Sequence, residues 1–258
     1  MRIRDQIGRL ITINKKPEQI VSLVPSITEF LFDLGLEDQI CAITDYCIHP
    51  GDKVRLKTRI GGPKDINIPR ILSLNPDLVI ASKEENTRPQ IRKLINTCNV
   101  YVSDVKNLHE ALKLMEDLGA INQVPDIASE IITGIKSEFN QLKHRVSSLK
   151  KVAYLIWEKP YMTINKDTFI HDILLAGGFS NVFANKKERY PEISLQEIQT
   201  LNPDYIFLPT EPYPFKNQHI TQFKSVCPHA IIKRVDGEIF AWYGSHLIKV
   251  NDYFKHLL

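Results

Sequence analysis

Short β-branched and aromatic runs alternate along this chain with stretches of helical period, the order expected of strands that cross over through helices into parallel sheets. In the first half Ile20–Leu23, Ile40–Ile43, Leu78–Ala81 and Val100–Val102 read as strands. Phe30, Leu31 and Leu34 give Thr28–Leu34 an apolar helical face, with Gly35 placed to stop it, and Arg88–Asn96 and Leu108–Leu118 repeat the pattern. The second half opens on Val152–Trp157, an apolar run of the kind expected for a strand covered on both faces. A predicted helix at Phe169–Leu175 follows, then strands near Asn181–Phe183, at Tyr205–Leu208 and at Ile231–Val235. Leu247, Val250, Phe254 and Leu257 stand at helical spacing near the C-terminus.

The halves share their order of elements and also a string. Leu74-Asn75-Pro76-Asp77 returns as Leu201-Asn202-Pro203-Asp204, each time between a predicted helix and the strand after it. Proline ends the helix there and the Asn-Pro turn feeds the next strand, so the repeat points to duplication. Between the halves, Ile127, Ile131, Ile135, Phe139, Leu142, Val146 and Leu149 step by three or four, predicting one helix over Pro125–Lys150. Some 25 residues of helix span roughly 38 Å, enough to run along two lobes; a surface helix of a single domain is the plainer alternative. The fold expected is α/β, with two Rossmann-like lobes, central parallel sheets and one long α-helix joining them. Residues 1–123 form the N-terminal lobe, 124–150 the linking helix and 151–258 the C-terminal lobe.

Composition narrows the function. Lys and Arg number 33 against 30 acids, interleaved without a basic block, which gives nucleic-acid binding no electrostatic support. No apolar run reaches the roughly 18 to 20 residues of a membrane span, and the N-terminus lacks the apolar core of an export signal, so the chain reads as soluble and either cytosolic or already processed. Cys41, Cys47, Cys98 and Cys227 show no metal-site spacing; Cys41 and Cys98 read as buried thiols beside strands, and a disulfide among the others stays open. No nucleophile elbow, phosphate loop or dinucleotide fingerprint is present, so no catalytic residue is assigned. The histidines have neither i, i+4 pairing nor an H-E-x-x-H motif, so no metal site is assigned either.

Ligands of open parallel sheets collect at the strand C-terminal ends, where loops and helix N-termini meet. With two lobes facing each other, those loops line one inter-lobe cleft. The loops contain Pro25, Ser26, Tyr46, His49 and Gly62 in the first half, and Trp157, Tyr161, Arg189, Tyr190, Tyr213, Trp242 and Tyr243 in the second. Both tryptophans and several tyrosines of the chain fall in this set, which suits a large planar or amphipathic ligand better than a bare ion. For Trp157 and Trp242 the alternative is that each plugs a lobe core. His49 is the histidine placed for ligand contact, with loop bracing as its alternative; His109, His144 and His256 look like solvated helix positions.

The segments I-V-S-L-V-P-S-I-T-E-F-L-F-D-L-G-L at 20–36, N-P-D-L-V-I-A-S at 75–82, R-Y-P-E-I-S at 189–194 and W-Y-G at 242–244, with the long helix between them, resemble a known family. They are similar to the helical-backbone (class III) solute-binding proteins of ABC importers, especially the cobalamin-binding branch and its iron–siderophore and haem relatives. The resemblance implies a non-enzymatic, monomeric two-lobed protein outside the cytoplasmic membrane. It implies that cobalamin or a metal chelate binds in the cleft, with no covalent cofactor, and is delivered to an ABC permease. Carried over by position, Pro25-Ser26, Tyr46, Arg189-Tyr190 and Trp242 match ligand-touching loops. The sequence departs where those proteins carry a tryptophan before the third strand, since here it reads Arg59-Ile60-Gly61-Gly62. Glu84, Glu85 and Glu211 are the candidates for meeting the permease. A cytoplasmic metallochaperone or chelatase-like enzyme using His49 is the reading from another class.

Overall fold

The structure is a computed structural model and describes residues 1–146 and 148–257. The chain divides into two compact units. The first comprises Met1–Val105, His109–Ile135 and the short segment Tyr243–His246; the second comprises Lys106–Leu108, Lys136–Trp242 and Leu247–Leu258. The segment Tyr243–His246 therefore departs from the boundary read at residue 151.

In the first unit, β1 (Arg2–Arg4) and β2 (Leu10–Thr12) form an antiparallel hairpin that the hydrophobic pattern does not announce. The chain then builds β3 (Ile20–Ser22), α1 (Pro25–Asp33), β4 (Ile40–Ile43), α2 (Gly51–Val54) and β5 (Thr58–Arg59). A second small hairpin, β6 (Gly61–Gly62) and β7 (Asp65–Ile66), precedes α3 (Ile68–Ser73), β8 (Leu78–Ser82), α4 (Arg88–Ile95), β9 (Val100–Ser103) and α5 (Leu108–Ile121). The strands lie in the order β5-β4-β3-β8-β9, all parallel. Val21, Leu23, Ala42, Val79, Ala81, Val100 and Val102 put one core on a sheet face, against Ile71, Ile91 and Leu94 from α3 and α4. These residues recur at period two along the strands and at helical spacing in the helices, which is why the alternation was legible.

Helix α6 (Pro125–Arg145) contributes its first half to one unit and its second half to the other. It is shorter than the span read to Lys150. Beyond Arg145 the helical pattern lapses, Ser147 lies outside the described residues, and Lys150 already begins β10 (Lys150–Trp157). The second unit continues with β11 (Met162–Thr163), α7 (Phe169–Ala176), β12 (Phe179–Asn181), α8 (Leu195–Leu201), β13 (Tyr205–Pro209), α9 (Asn217–Val226), β14 (Ile231–Val235), α10 (Gly237–Ala241) and α11 (Val250–Leu257). β10, β12, β13 and β14 are parallel, whereas β11 pairs antiparallel with the far end of β10. β12 begins two residues earlier than the Asn181–Phe183 reading. The amide of Asn181 accepts from Phe183 N and donates to Ile164 O, an Asx turn that ends the strand. Phe179, at its start, packs into a ring cluster with Tyr205, Phe207 and Phe254.

The repeated L-N-P-D string has one job in both units. Asn75 and Asn202 take left-handed conformations, φ 46° and 50°, at the helix ends. The aspartate two residues on then clamps a neighbouring strand. Asp77 accepts from Glu18 N and Gln19 N at 3.0 and 3.1 Å, and Asp204 accepts from Lys151 N at 2.8 Å. Among the described residues no helix is long and apolar enough to cross a membrane.

Candidate functional site

In the first unit the loops at the sheet's C-terminal edge are tied to one another. Proline at the start of α1 needs no backbone donor, and the helix leaves its first-turn N–H groups pointing outward. Ser26, on that turn, is buried and its hydroxyl has no hydrogen-bond partner among the described residues. The loop after β4 is pinned by Arg59, whose guanidinium donates to the carbonyls of Thr44, Cys47 and Val54. Cys47 is buried against the hydroxyls of Thr28 and Thr44 at 3.1 and 3.2 Å, and burial pushes its thiol up. Tyr46 is left 66% exposed.

The glycines of the β6–β7 hairpin explain where Tyr46 lies. Gly61 has φ +88°, and a Cβ there would stand 2.4 Å from Asp65 O. At Gly62 a Cβ would stand 3.2 Å from the Tyr46 ring, so the ring rests on bare backbone. Gly62 is thus a shelf for a tyrosine from the neighbouring loop.

After β8, Ser82 and Asn86 close a tight turn in which Asn86 Oδ1 accepts from Ser82 N, and Ser82 Oγ accepts from Glu84 N and Glu85 N. Glu84 and Glu85 are half-buried on that turn. Tyr243 is only 5% exposed, and its hydroxyl reaches Ser82 Oγ at 3.3 Å and Ser103 Oγ at 3.5 Å. Burial pushes the phenol well above its ordinary value. Gly244 follows with φ +132°, a conformation other residues adopt only with strain, and a Cβ there would stand 3.1 Å from Ser26 O and 3.2 Å from Phe30 Cβ. Ser245 bonds Asp33, and His246 meets Glu29 at 2.9 Å. His49 is half-buried, its ring centre 6.0 Å from that of His246.

In the second unit, a register shift between Leu155 and Trp157 in the β10–β11 pair turns the end of β10 outward, leaving Trp157 43% exposed. The strand is therefore covered along Val152–Ile156 but not at its tip, and Trp157 is not a core plug. Tyr213, from the loop after β13, stands edge-on to Trp157 with ring centres 5.5 Å apart. Its hydroxyl donates to Glu158 Oε2 at 2.6 Å, which lowers the Glu158 carboxyl and raises the Tyr213 phenol. Tyr161 packs on Phe223 and donates to Gln222. Arg189 and Tyr190 are half-buried on the segment beside β11, with the guanidinium 5.7 Å from the Tyr190 ring centre. Trp242, 6% exposed, donates its indole N–H to Glu211 Oε1 at 2.7 Å.

Each of these side chains stands at or beside a strand C-terminal end of its own unit. Glu158, Glu29, His219 and His246 were not singled out from the sequence, because each meets a partner distant in the chain. The four cysteines are free thiols; Cys47 and Cys227 are buried, while Cys41 and Cys98, read as buried, are half-buried beside their strands. Among the described residues no group of His, Cys, Asp and Glu is arranged to hold a metal ion.

Both units are α/β, each built on a largely parallel sheet with loops at the strand C-terminal ends, where ligands of such sheets collect. The family model described as "Periplasmic binding protein" matches residues 20–233, and the chain belongs to that family. The Vitamin B12-binding protein of Vibrio cholerae serotype O1 is 28% identical over 206 residues, covering 79% of this chain and 74% of that protein. A crystal structure of the periplasmic vitamin B12 binding protein BtuF of Vibrio cholerae superposes with a TM-score of 0.80 at 22% identity, covering 93% of this chain and 98% of that one. The periplasmic heme-binding protein RhuT from Roseiflexus sp. RS-1, in apo form, gives a TM-score of 0.76 at 17% identity, covering 93% and 98%. At these identities the structural matches speak for the fold.

Proposed function

We propose that this protein binds cobalamin or a related corrinoid through the strand-end loops of its two units and hands it to an ABC permease, without catalysing a reaction on it. The observation that carries the reading is the coincidence of two independent facts. Relatives that match about three quarters or more of the chain include vitamin B12-binding proteins, and the strand edges display Tyr46 on its glycine shelf and the Trp157–Tyr213 pair, flat surfaces that suit a corrin ring. Family membership supports a binding protein that works on the outer side of the cytoplasmic membrane. Tyr46, Trp157, Tyr161, Arg189, Tyr190 and Tyr213 are the side chains proposed to touch the ligand, together with Pro25-Ser26 on the first turn of α1 and His49. Tyr243 and Trp242 hold the walls from behind, through Ser82 and Glu211. Glu84 and Glu85 are the proposed permease contacts, whereas the Glu211 carboxylate is engaged by Trp242.

A thermal-shift comparison of cyanocobalamin, haemin and a ferric hydroxamate tests this. A ligand held only by the folded state at about 100 times its Kd adds about 2.7 kcal/mol of stability, and the expected result is a rise of several degrees with cyanocobalamin. A rise with haemin or the ferric chelate alone would move the ligand to those classes.

A further inference from the structure

The second unit contains an interaction that the ligand loops themselves do not require. Glu158, directly after β10, accepts the Tyr213 hydroxyl on Oε2 at 2.6 Å and directs Oε1 at His219 Nε2, 3.5 Å away. His219 is 2% exposed, and its Nδ1 accepts from Lys216 N at 2.8 Å, so the ring is fixed on the first turn of α9 with its other nitrogen facing the carboxylate. The Tyr213 ring is further held by Phe215 at 4.8 Å and by His219 at 5.9 Å between centres. Lys159, 3.9 Å from Oε2 and 85% exposed, is too loose to fix the carboxylate.

We propose that Glu158 is a positioning residue for the ligand wall of this unit: backed by His219, it locks Tyr213 edge-on to Trp157, so that the exposed indole is presented already ordered to a flat macrocyclic ligand. The proposal deepens the corrinoid reading above and rests on it. A tyrosine with a free hydroxyl can turn about both side-chain torsions. Tying the tip removes that freedom before binding, and ordering one such side chain in advance is worth up to about tenfold in affinity.

The test uses the full chain labelled with 5-fluorotryptophan, the Trp157 resonance being assigned with Trp157→Phe. Glu158→Ala removes the acceptor, Tyr213→Phe removes only the donor, and Glu158→Gln keeps an acceptor oxygen. The expected result is a shifted or broadened Trp157 resonance in Glu158→Ala and Tyr213→Phe without ligand, with cyanocobalamin binding weakened about tenfold, and near-native behaviour in Glu158→Gln. Should Glu158→Ala not fold, Tyr213→Phe carries the same comparison. Tight binding by the unaltered protein that persists in Tyr213→Phe, or a Trp157 resonance indifferent to both changes, overturns this proposal and leaves the corrinoid reading standing. Absence of any cyanocobalamin binding by the unaltered protein overturns both.

Discussion

His246 Nδ1 lies 2.9 Å from Glu29 Oε2, although 217 positions separate the two residues. Both are largely buried, and Asp33, one turn further along α1, bonds Ser245 beside them. The first helix of the chain thus offers Glu29 and Asp33 from one face to a segment that arrives only after the second unit is nearly complete. Glu29→Ala should lose about 2 kcal/mol, the range for a buried hydrogen bond to a charged group, and His246→Ala a similar amount. The two losses should be less than additive in the double variant. Hydrogen exchange of the α1 amides reads this on the first unit alone, and full additivity would contradict it.

Tyr243 belongs to the same segment. Tyr243→Phe keeps the ring and removes the bonds to Ser82 and Ser103, so stability should fall by about 1 kcal/mol. Cyanocobalamin affinity should stay within about twofold, because a phenol that braces the wall from behind contributes little directly to the ligand. Urea unfolding and a binding titration on the same samples check it.

Gly61 and Gly62 should respond differently to alanine. At Gly61 the new Cβ meets a carbonyl at 2.4 Å in a positive-φ conformation, and a loss of about 2 kcal/mol or more is expected. At Gly62 it meets only the movable edge of Tyr46 at 3.2 Å. Melting should change little there, while the Tyr46 ring resonances shift.

Asp77 gives a pH dependence of known sign. Burial pushes its carboxyl up, but the N–H groups of Glu18 and Gln19 and the Lys15 ammonium outweigh that, and its pKa lies below the ordinary value. The stability it contributes is complete above the pKa of an unfolded aspartate, roughly 4, and is lost as pH falls through the lower folded value. Asp77→Asn should therefore narrow the stability difference between pH 7 and acid, and Asp204→Asn should loosen the start of β10 by about 1 kcal/mol.

The strands and helices were legible because their burial is periodic, and the L-N-P-D echo located equivalent junctions in both units. The sequence could not show that its aspartates clamp a strand more than fifty residues away. The hairpin at Arg2–Thr12 escaped notice because its exposed strands lack a continuous apolar face. Of the site, Tyr46, Trp157 and Tyr213 could be placed by aromatic type and strand-end position. Their supports could not: a glutamate after a strand and a histidine on a helix look like ordinary surface residues until the fold brings Glu158 and His219 to one tyrosine.

Equilibrium dialysis of the full chain against cyanocobalamin, read by the corrin absorbance, asks whether the protein holds a corrinoid. The expected result is saturable binding of one ligand per chain with Kd of about 1 µM or below, near −8 kcal/mol, weakened by Trp157→Ala and by Tyr46→Ala. Retention no greater than that of a non-binding control protein at every concentration would contradict it.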